Sequence, residues 1–221
     1  MARDSLFSIL PPQLSAGLIG RASTIALAPH QTLFRAGDPC DGCYHVIEGL
    51  LKVSATLPSR HERILAILGA GGFIGELSLM DGAPRSAAVI AIRASRLHFV
   101  SRADFDDFGR DNPDIYRHIA DLLARRLRDN SATLAMSSSS LKARAARALL
   151  SLADAFGKDV GSGRILIRQK VSQGDLAAMA GIARENLSRL LQDWARERLV
   201  SRLAGYYCLE DKAALERQAD P

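Results

Sequence analysis

Ser172-Gln173-Gly174-Asp175-Leu176-Ala177-Ala178-Met179-Ala180-Gly181-Ile182-Ala183-Arg184-Glu185-Asn186-Leu187-Ser188-Arg189-Leu190 is the stretch on which the fold turns. Ser172 with Asp175 three residues on has the form of a capping box, so a helix starts there. Leu176, Ala177 and Ala180 give that short helix an inward face, and Gly181 supplies a turn. Ile182, Leu187 and Leu190 follow at the spacing that packs a second helix, 183–196, across the first, with Ala177 small enough for a close crossing. The pattern predicts a helix-turn-helix. Arg184, Glu185, Ser188 and Arg189 are expected to point away from that contact. Arginine forks onto guanine O6 and N7 and glutamate accepts from cytosine N4, so such a face can read base edges in a major groove. The alternative is a solvated helix with a Glu185–Arg189 pair at i, i+4. Residues 200–209, with Gly205 between apolar and aromatic residues, read as a hairpin wing beside it.

Charge favours the DNA-reading alternative. Residues 1–110 carry 11 Lys and Arg against 10 Asp and Glu, residues 111–140 carry 4 against 4, and residues 141–221 carry 14 against 10. Nearly all of the net +5 therefore lies in the last third, which suits a polyanion partner for that part alone. The whole chain, 221 residues with 48% hydrophobic and 24% charged, has the composition of one or two globular domains rather than of a disordered or collagen-like protein. The uncharged run 64–75 is glycine-broken and too short for a membrane span. The early Asp4 and the paired Pro11 and Pro12 do not fit a secretory signal, so a cytoplasmic protein without a membrane partner is expected. Three cysteines, Cys40, Cys43 and Cys208, are too few for a disulfide scaffold.

Upstream, residues 32–100 break into short segments punctuated by glycine. Tyr44 to Ile47, Leu50 to Val53, Arg63 to Leu68, Ala87 to Ile90 and Arg96 to Val100 read as strands of an all-β sandwich or barrel, with Glu48-Gly49 among the turns. Asp111-Asn112-Pro113 then opens a long helix. Along it Tyr116, Ile119, Leu123, Leu127, Asn130 and Leu134 form a seam that needs a partner, with Arg125, Arg126 and Arg128 off it. A serine run over 136–140 ends the helix and reads as a hinge. Helical sequence resumes at 141–156, 157–163 reads as a loop, and 165–167 as a short strand.

Within the β-rich part, Gly75-Glu76-Leu77-Ser78-Leu79-Met80-Asp81-Gly82-Ala83-Pro84-Arg85-Ser86-Ala87 carries the other chemistry. A glycine-led turn into one helical turn presents backbone N–H groups to an anion, and Arg85 can close the site with a forked guanidinium. Glu76 beside a phosphate is tolerable when it accepts hydrogen bonds from hydroxyls, as a ribose would give. The competing reading is a structural turn in which Arg85 pairs with Glu76 or Asp81.

The order of β-rich part, long seam helix and helix-turn-helix resembles the cyclic-AMP receptor protein (CRP/FNR) family of bacterial transcription regulators over nearly the whole chain. The resemblance implies an α+β fold: a cyclic-nucleotide-binding β-roll (jelly-roll-like) over 1–110, a dimerisation helix and hinge over 111–140, and a winged helix-turn-helix over 141–221. Gly75-Glu76-Leu77 through Arg85-Ser86-Ala87 is similar to the family's phosphate-binding cassette, implying Glu76 on the ribose 2′-OH and Arg85 with Ser86 on the cyclic phosphate. Asn112-Pro113-Asp114-Ile115 and Ala124-Arg125-Arg126-Leu127 resemble the dimerisation helix, which puts Asn130 and Ser131 at the purine. Residues 183–189 resemble the recognition helix, implying that Arg184, Glu185 and Arg189 read TGTGA-like palindromic half-sites on double-stranded DNA.

The implied protein is a homodimeric regulator and not an enzyme, with no cofactor, cyclic AMP or cyclic GMP as allosteric ligand, and RNA polymerase as a further partner. Two departures bear on this. Asn130 stands where a threonine contacts the base in the cyclic-AMP receptor, and its amide either donates or accepts, so cyclic GMP stays open; a lone seam amide also sets helix register. Ala183 stands where a serine often precedes the recognition arginine, removing a cap or phosphate contact. The rival is a regulator of the same shape that is constitutively active or senses redox state or metal through Cys40 and Cys43, against their plainer reading as turn residues. The five histidines are scattered and read as packing or surface residues.

Overall fold

A computed structural model of the chain describes residues 10–56, 62–135 and 139–219, the side chains at 129, 130 and 132–135 excepted. It divides into two compact units, one of 2–55 with 65–131 and the other of 132–221 with 56–64; one boundary lies in the long helix between Ser131 and Ala132.

The first unit runs α1 (Pro12–Ile19), β1 (Ser23–Leu27), β2 (Thr32–Phe34), β3 (Gly42–Thr56), β4 (Glu62–Leu68), β5 (Phe73–Ile74), α2 (Glu76–Asp81), β6 (Ala88–Ser101), α3 (Arg102–Asp111) and the first part of α4 (Asp114–Ala135). Its sheet has the order β1-β6-β3-β4, with β2 on β6 and β5 on β3, and the end of β3 and the start of β4 group with the second unit. Alternation along β3 feeds two layers of core. Tyr44 and Val46 pack with Leu97 and Ile74, while Cys43 packs with Phe73 and Val100. The second layer is closed by helices through Leu18, Phe105, Phe108, Ile115, Ile119 and Leu122.

Several expectations are revised here. Glu48-Gly49 does not end a strand: β3 continues through it, shifting register around Glu48. Gly49 has φ 114, and a Cβ there would collide with Ser95 across the bulge. A helix the pattern did not suggest, α3, precedes the long one, with Ser101 capping it through a bond from the Asp104 N–H (3.1 Å). Asn112 therefore ends α3, its amide donating to the Phe108 carbonyl at 3.1 Å, instead of opening α4, which starts at Asp114. Ile119 leaves the seam, being fully buried in the chain's own core with Ile115 and Leu122. The apolar side chains exposed along the described part of α4 are Tyr116, Ala120 and Leu127, with Leu123 and Ala124 half-buried between them. The Leu134 side chain and part of the expected hinge, 136–138, lie outside what the structure describes.

The second unit contains α5 (Leu141–Phe156), β7 (Gly157–Asp159), β8 (Ile165–Ile167), α6 (Gln173–Ala180), α7 (Arg184–Arg196), β9 (Val200–Leu203), β10 (Tyr206–Leu209) and α8 (Lys212–Ala219). Its sheet order is β7-β8-β10-β9, so 157–159 pairs with β8 where a loop was expected. Trp194 and Tyr207 are fully buried in it. The whole is α+β, with an N-terminal sheet domain and a C-terminal winged helix-turn-helix.

Candidate functional site

Arg85 is the centre of the cassette, and both its backbone and its side chain are held. Its N–H donates to the Asp38 carbonyl and its carbonyl accepts from Gly37, each at 2.8 Å. The guanidinium lies 4.3 Å from the Phe34 ring centroid and 5.7 Å from that of Tyr44. Its Nη1 donates to the Gly75 carbonyl (3.2 Å), and its Nη2 to the Gly42 carbonyl (2.7 Å) and to Asp41 Oδ1 (2.5 Å). Gly75 is required at this spot: φ is 93 and a Cβ would run into the guanidinium. Asp41 in turn accepts from the Tyr44 hydroxyl at 2.6 Å. Burial, reinforced by that bond, raises the Tyr44 phenol above its ordinary range.

Arg85 therefore pairs with neither Glu76 nor Asp81. Its carboxylate partner lies 44 residues upstream, and the two differ sharply in exposure, 1% for the Arg85 side chain and 56% for that of Asp41. The Arg85 Nε–H is buried and has no hydrogen-bond partner among the described residues. Glu76, also buried, is ion-paired with Arg126 of α4, whose Nη2 donates to the Phe73 carbonyl at 2.8 Å. The contact of Arg126 with Glu76 has no local sequence signal. Ser86 is exposed and Ala87 buried beside Arg85, and Leu77 is 46% exposed on α2. Ser131 is exposed near the end of the first unit, and the Asn130 side chain lies outside the described residues.

In the second unit Ser172 caps α6, accepting from the Asp175 N–H at 3.0 Å, and Gly181 ends it with φ 62. Ala183 precedes α7 with no side-chain cap. Leu187, Leu191 and Trp194 form the inward stripe of α7, whereas Leu190 is half-buried. Helical periodicity continued from Leu187 reaches 191 and 194 together, and the large indole makes that the deeper face. Arg184, Glu185 and Arg189 are exposed, and among the described residues no ion pair joins Glu185 to Arg189. Ser188 departs from the expectation: it is half-buried and lines a cleft between α7 and the hairpin with Leu191, Gln192 and Tyr207. The hairpin turns at Ala204 and Gly205, both at positive φ, as a two-residue connection between twisted strands requires.

Residues 24–112 match the cyclic nucleotide-binding domain family, and residues 143–218 match the Crp-like helix-turn-helix domain family. A CRP-like cAMP-activated global transcriptional regulator of Mycobacterium tuberculosis is 30% identical over 216 residues, covering 97% of this chain and 93% of that protein. The chain belongs to the CRP/FNR family of transcription regulators.

Other members extend the comparison. The cyclic AMP receptor protein of Thermus thermophilus is 34% identical over 188 residues, 85% of this chain and 83% of that one. A crystal structure of a CRP/FNR-family transcriptional regulator from the same organism superposes with a TM-score of 0.72 at 25% identity, covering 90% of this chain and 99% of that one. As a CRP/FNR member the chain is a DNA-binding transcription regulator, not an enzyme, and its N-terminal domain is of the cyclic nucleotide-binding type. No described helix is long and apolar enough to cross a membrane. Cys40, Cys43 and Cys208 are free thiols, and burial raises the Cys43 thiol far above its ordinary range, which disfavours the thiolate that metal binding or oxidation needs.

Proposed function

We propose that the chain is a homodimeric transcription regulator whose DNA affinity is controlled by cyclic AMP bound in the first unit. The observation that carries this reading is Arg85: a buried guanidinium on an aromatic bed, with one N–H unpartnered and its carboxylate partner at the surface. An unpaired buried donor is costly, and an incoming anion that offers an oxygen to it removes that cost. The cyclic phosphate takes Arg85 from Asp41, assisted by Ser86, Ala87 and the backbone at Gly75 to Leu77. The ribose 2′-OH donates to Glu76, which then shares its carboxylate between ligand and Arg126. These cassette contacts are common to cyclic AMP and cyclic GMP, so the base alone discriminates, through Asn130 and Ser131. Cyclic AMP is preferred as ligand because the relatives over most of the chain are named for it.

Dimerisation uses the exposed strip Tyr116, Ala120 and Leu127 on α4, and two copies of Arg184, Glu185 and Arg189 then read TGTGA-like half-sites of a palindrome. RNA polymerase is the expected further partner. Calorimetric titration with both nucleotides, alongside retention of a palindromic duplex with and without ligand, tests this. Cyclic AMP is expected to bind and to raise DNA affinity by roughly 5- to 150-fold, the range of ordinary allosteric coupling. DNA binding indifferent to either nucleotide refutes it.

A further inference from the structure

Two guanidinium groups and two carboxylates balance at the nucleotide cassette, Arg85 with Asp41 and Arg126 with Glu76. Among the described residues Arg85 has no other carboxylate partner and Glu76 no other cationic one. The Asp41 carboxylate is also fixed independently of Arg85. Its Oδ2 accepts from the Tyr44 hydroxyl at 2.6 Å, and its backbone carbonyl accepts from the Arg102 N–H at 2.9 Å. An anion that takes the guanidinium therefore leaves a carboxylate standing beside it, tethered by Tyr44. The unpartnered Arg85 Nε–H projects from the same edge of the planar fork as one N–H of Nη2, and Nη2 is the nitrogen that Asp41 touches. A phosphate bonded along that edge at an ordinary charge-assisted distance has its remaining oxygens within about 4–6 Å of the carboxylate.

Nucleotides that share a base and a ribose differ at this point by charge. A cyclic phosphodiester has one negative charge and no further proton to lose, whereas a phosphomonoester is close to doubly charged at neutral pH. The second charge meets no spare cation, since Arg126 is taken by Glu76 and Arg85 is shared with Asp41. It meets the Asp41 carboxylate instead. Repulsion between like charges at that separation, in partly solvated surroundings, weakens binding by about tenfold. The Asp41 side chain is 56% exposed, which keeps the effect near that size rather than the far larger one of a buried pair.

On the cyclic-nucleotide reading proposed above, we infer that Asp41 is a specificity-determining residue: a fixed negative charge by which the site admits singly charged cyclic nucleotides and rejects doubly charged 5′-mononucleotides. The test is calorimetric titration of the full chain and of Asp41→Asn at about pH 8 with three probes, cyclic AMP, 5′-AMP and the methyl ester of 5′-AMP, an open-chain phosphodiester with a single charge. The parent should bind the methyl ester about tenfold more tightly than 5′-AMP, and in Asp41→Asn that gap should close to within about twofold. The preference for cyclic AMP over 5′-AMP should narrow by the same factor of about ten. Glu48→Gln removes a negative charge that is paired with Arg96 instead of Arg85, and should keep the parent's ratios. Equal binding of the methyl ester and 5′-AMP by the parent, or an unchanged gap in folded Asp41→Asn, overturns the role of Asp41 while cyclic AMP binding stands. A parent that binds none of the three probes refutes the cyclic-nucleotide reading and this role with it. Should circular dichroism show Asp41→Asn unfolded, Asp41→Ser replaces it, and the comparison of the two AMP forms on the parent still decides.

Discussion

Asp41→Asn isolates the contact that a ligand phosphate has to displace. In the structure the Asp41 carboxylate takes one bond from Arg85 (2.5 Å) and one from Tyr44 (2.6 Å). Asparagine keeps the shape and leaves the phenol an amide oxygen to donate to, so the substitution removes mainly charge. A hydrogen bond between charged groups contributes about 1.5–3 kcal/mol, whereas an exposed ion pair contributes about 0–1 kcal/mol. Arg85 is buried but more than half of the Asp41 side chain is open to solvent, so about 1 kcal/mol is the reasonable value. That energy belongs to the ligand-free state. Its removal should tighten cyclic AMP binding by about fivefold and lower the ligand-free melting temperature by about 2–4 °C for a chain of this size. Calorimetry and a thermal melt measure the two effects, which should appear together. Weaker or unchanged nucleotide binding refutes the displacement, because Asp41 would then still be holding Arg85 in the bound state.

Arg85→Leu should remove about 2–5 kcal/mol of nucleotide affinity while the ligand-free protein stays folded, since leucine fits between Phe34 and Tyr44 and the exposed Asp41 can resolvate; unfolding seen by circular dichroism points to a structural role instead. Arg184→Ala should cost about 1–3 kcal/mol on a cognate duplex and relax preference at one base pair, and an equal loss on every sequence would mean a phosphate contact only. Leu127, 67% exposed, should be essential to the pair of subunits: Leu127→Asp is expected to sediment as a monomer and to lose palindromic DNA binding. His45 has a folded-state value near 4 against 6.5 unfolded, so between these the unfolded chain binds more protons and stability falls as pH drops from about 6.5 towards 4. With partial exposure this amounts to about 1–2 kcal/mol, and His45→Phe should flatten that limb of a urea-melt pH profile.

Local chemistry was readable in the chain wherever one element contains its own cause. The Ser172 cap, the Gly181 turn and the Gly205 hairpin follow from residues a few positions apart, and the structure has all three. Seam and core positions on α4 were harder to separate, because Ile119 and Leu123 have the same period and only the cluster around Phe105 and Phe108 tells which is covered. The α3 helix had a signal in Ser101 and Asp104 that strand punctuation obscured. Asp41 beside Arg85 and Arg126 beside Glu76 had none: the pairs are 44 and 50 residues apart, and such contacts are set by the register of β3 and the docking of α4. Gly49 shows the reverse error, a glycine that allows a bulge being taken for one that ends a strand.

The long reach of β6 has a consequence for how the protein is made. This strand pairs with β1, β2 and β3, so the sheet closes only after residue 101 has been synthesised, and the Glu76 site only after Arg126. The winged helix-turn-helix draws its helices and its sheet from 141–219 alone. During translation at about 5–20 residues per second, N-terminal domains fold as units while the rest of the chain is still emerging. Residues 75–87 are therefore outside the ribosome, and able to meet the cell's pool of small molecules, some seconds before α7 has been translated.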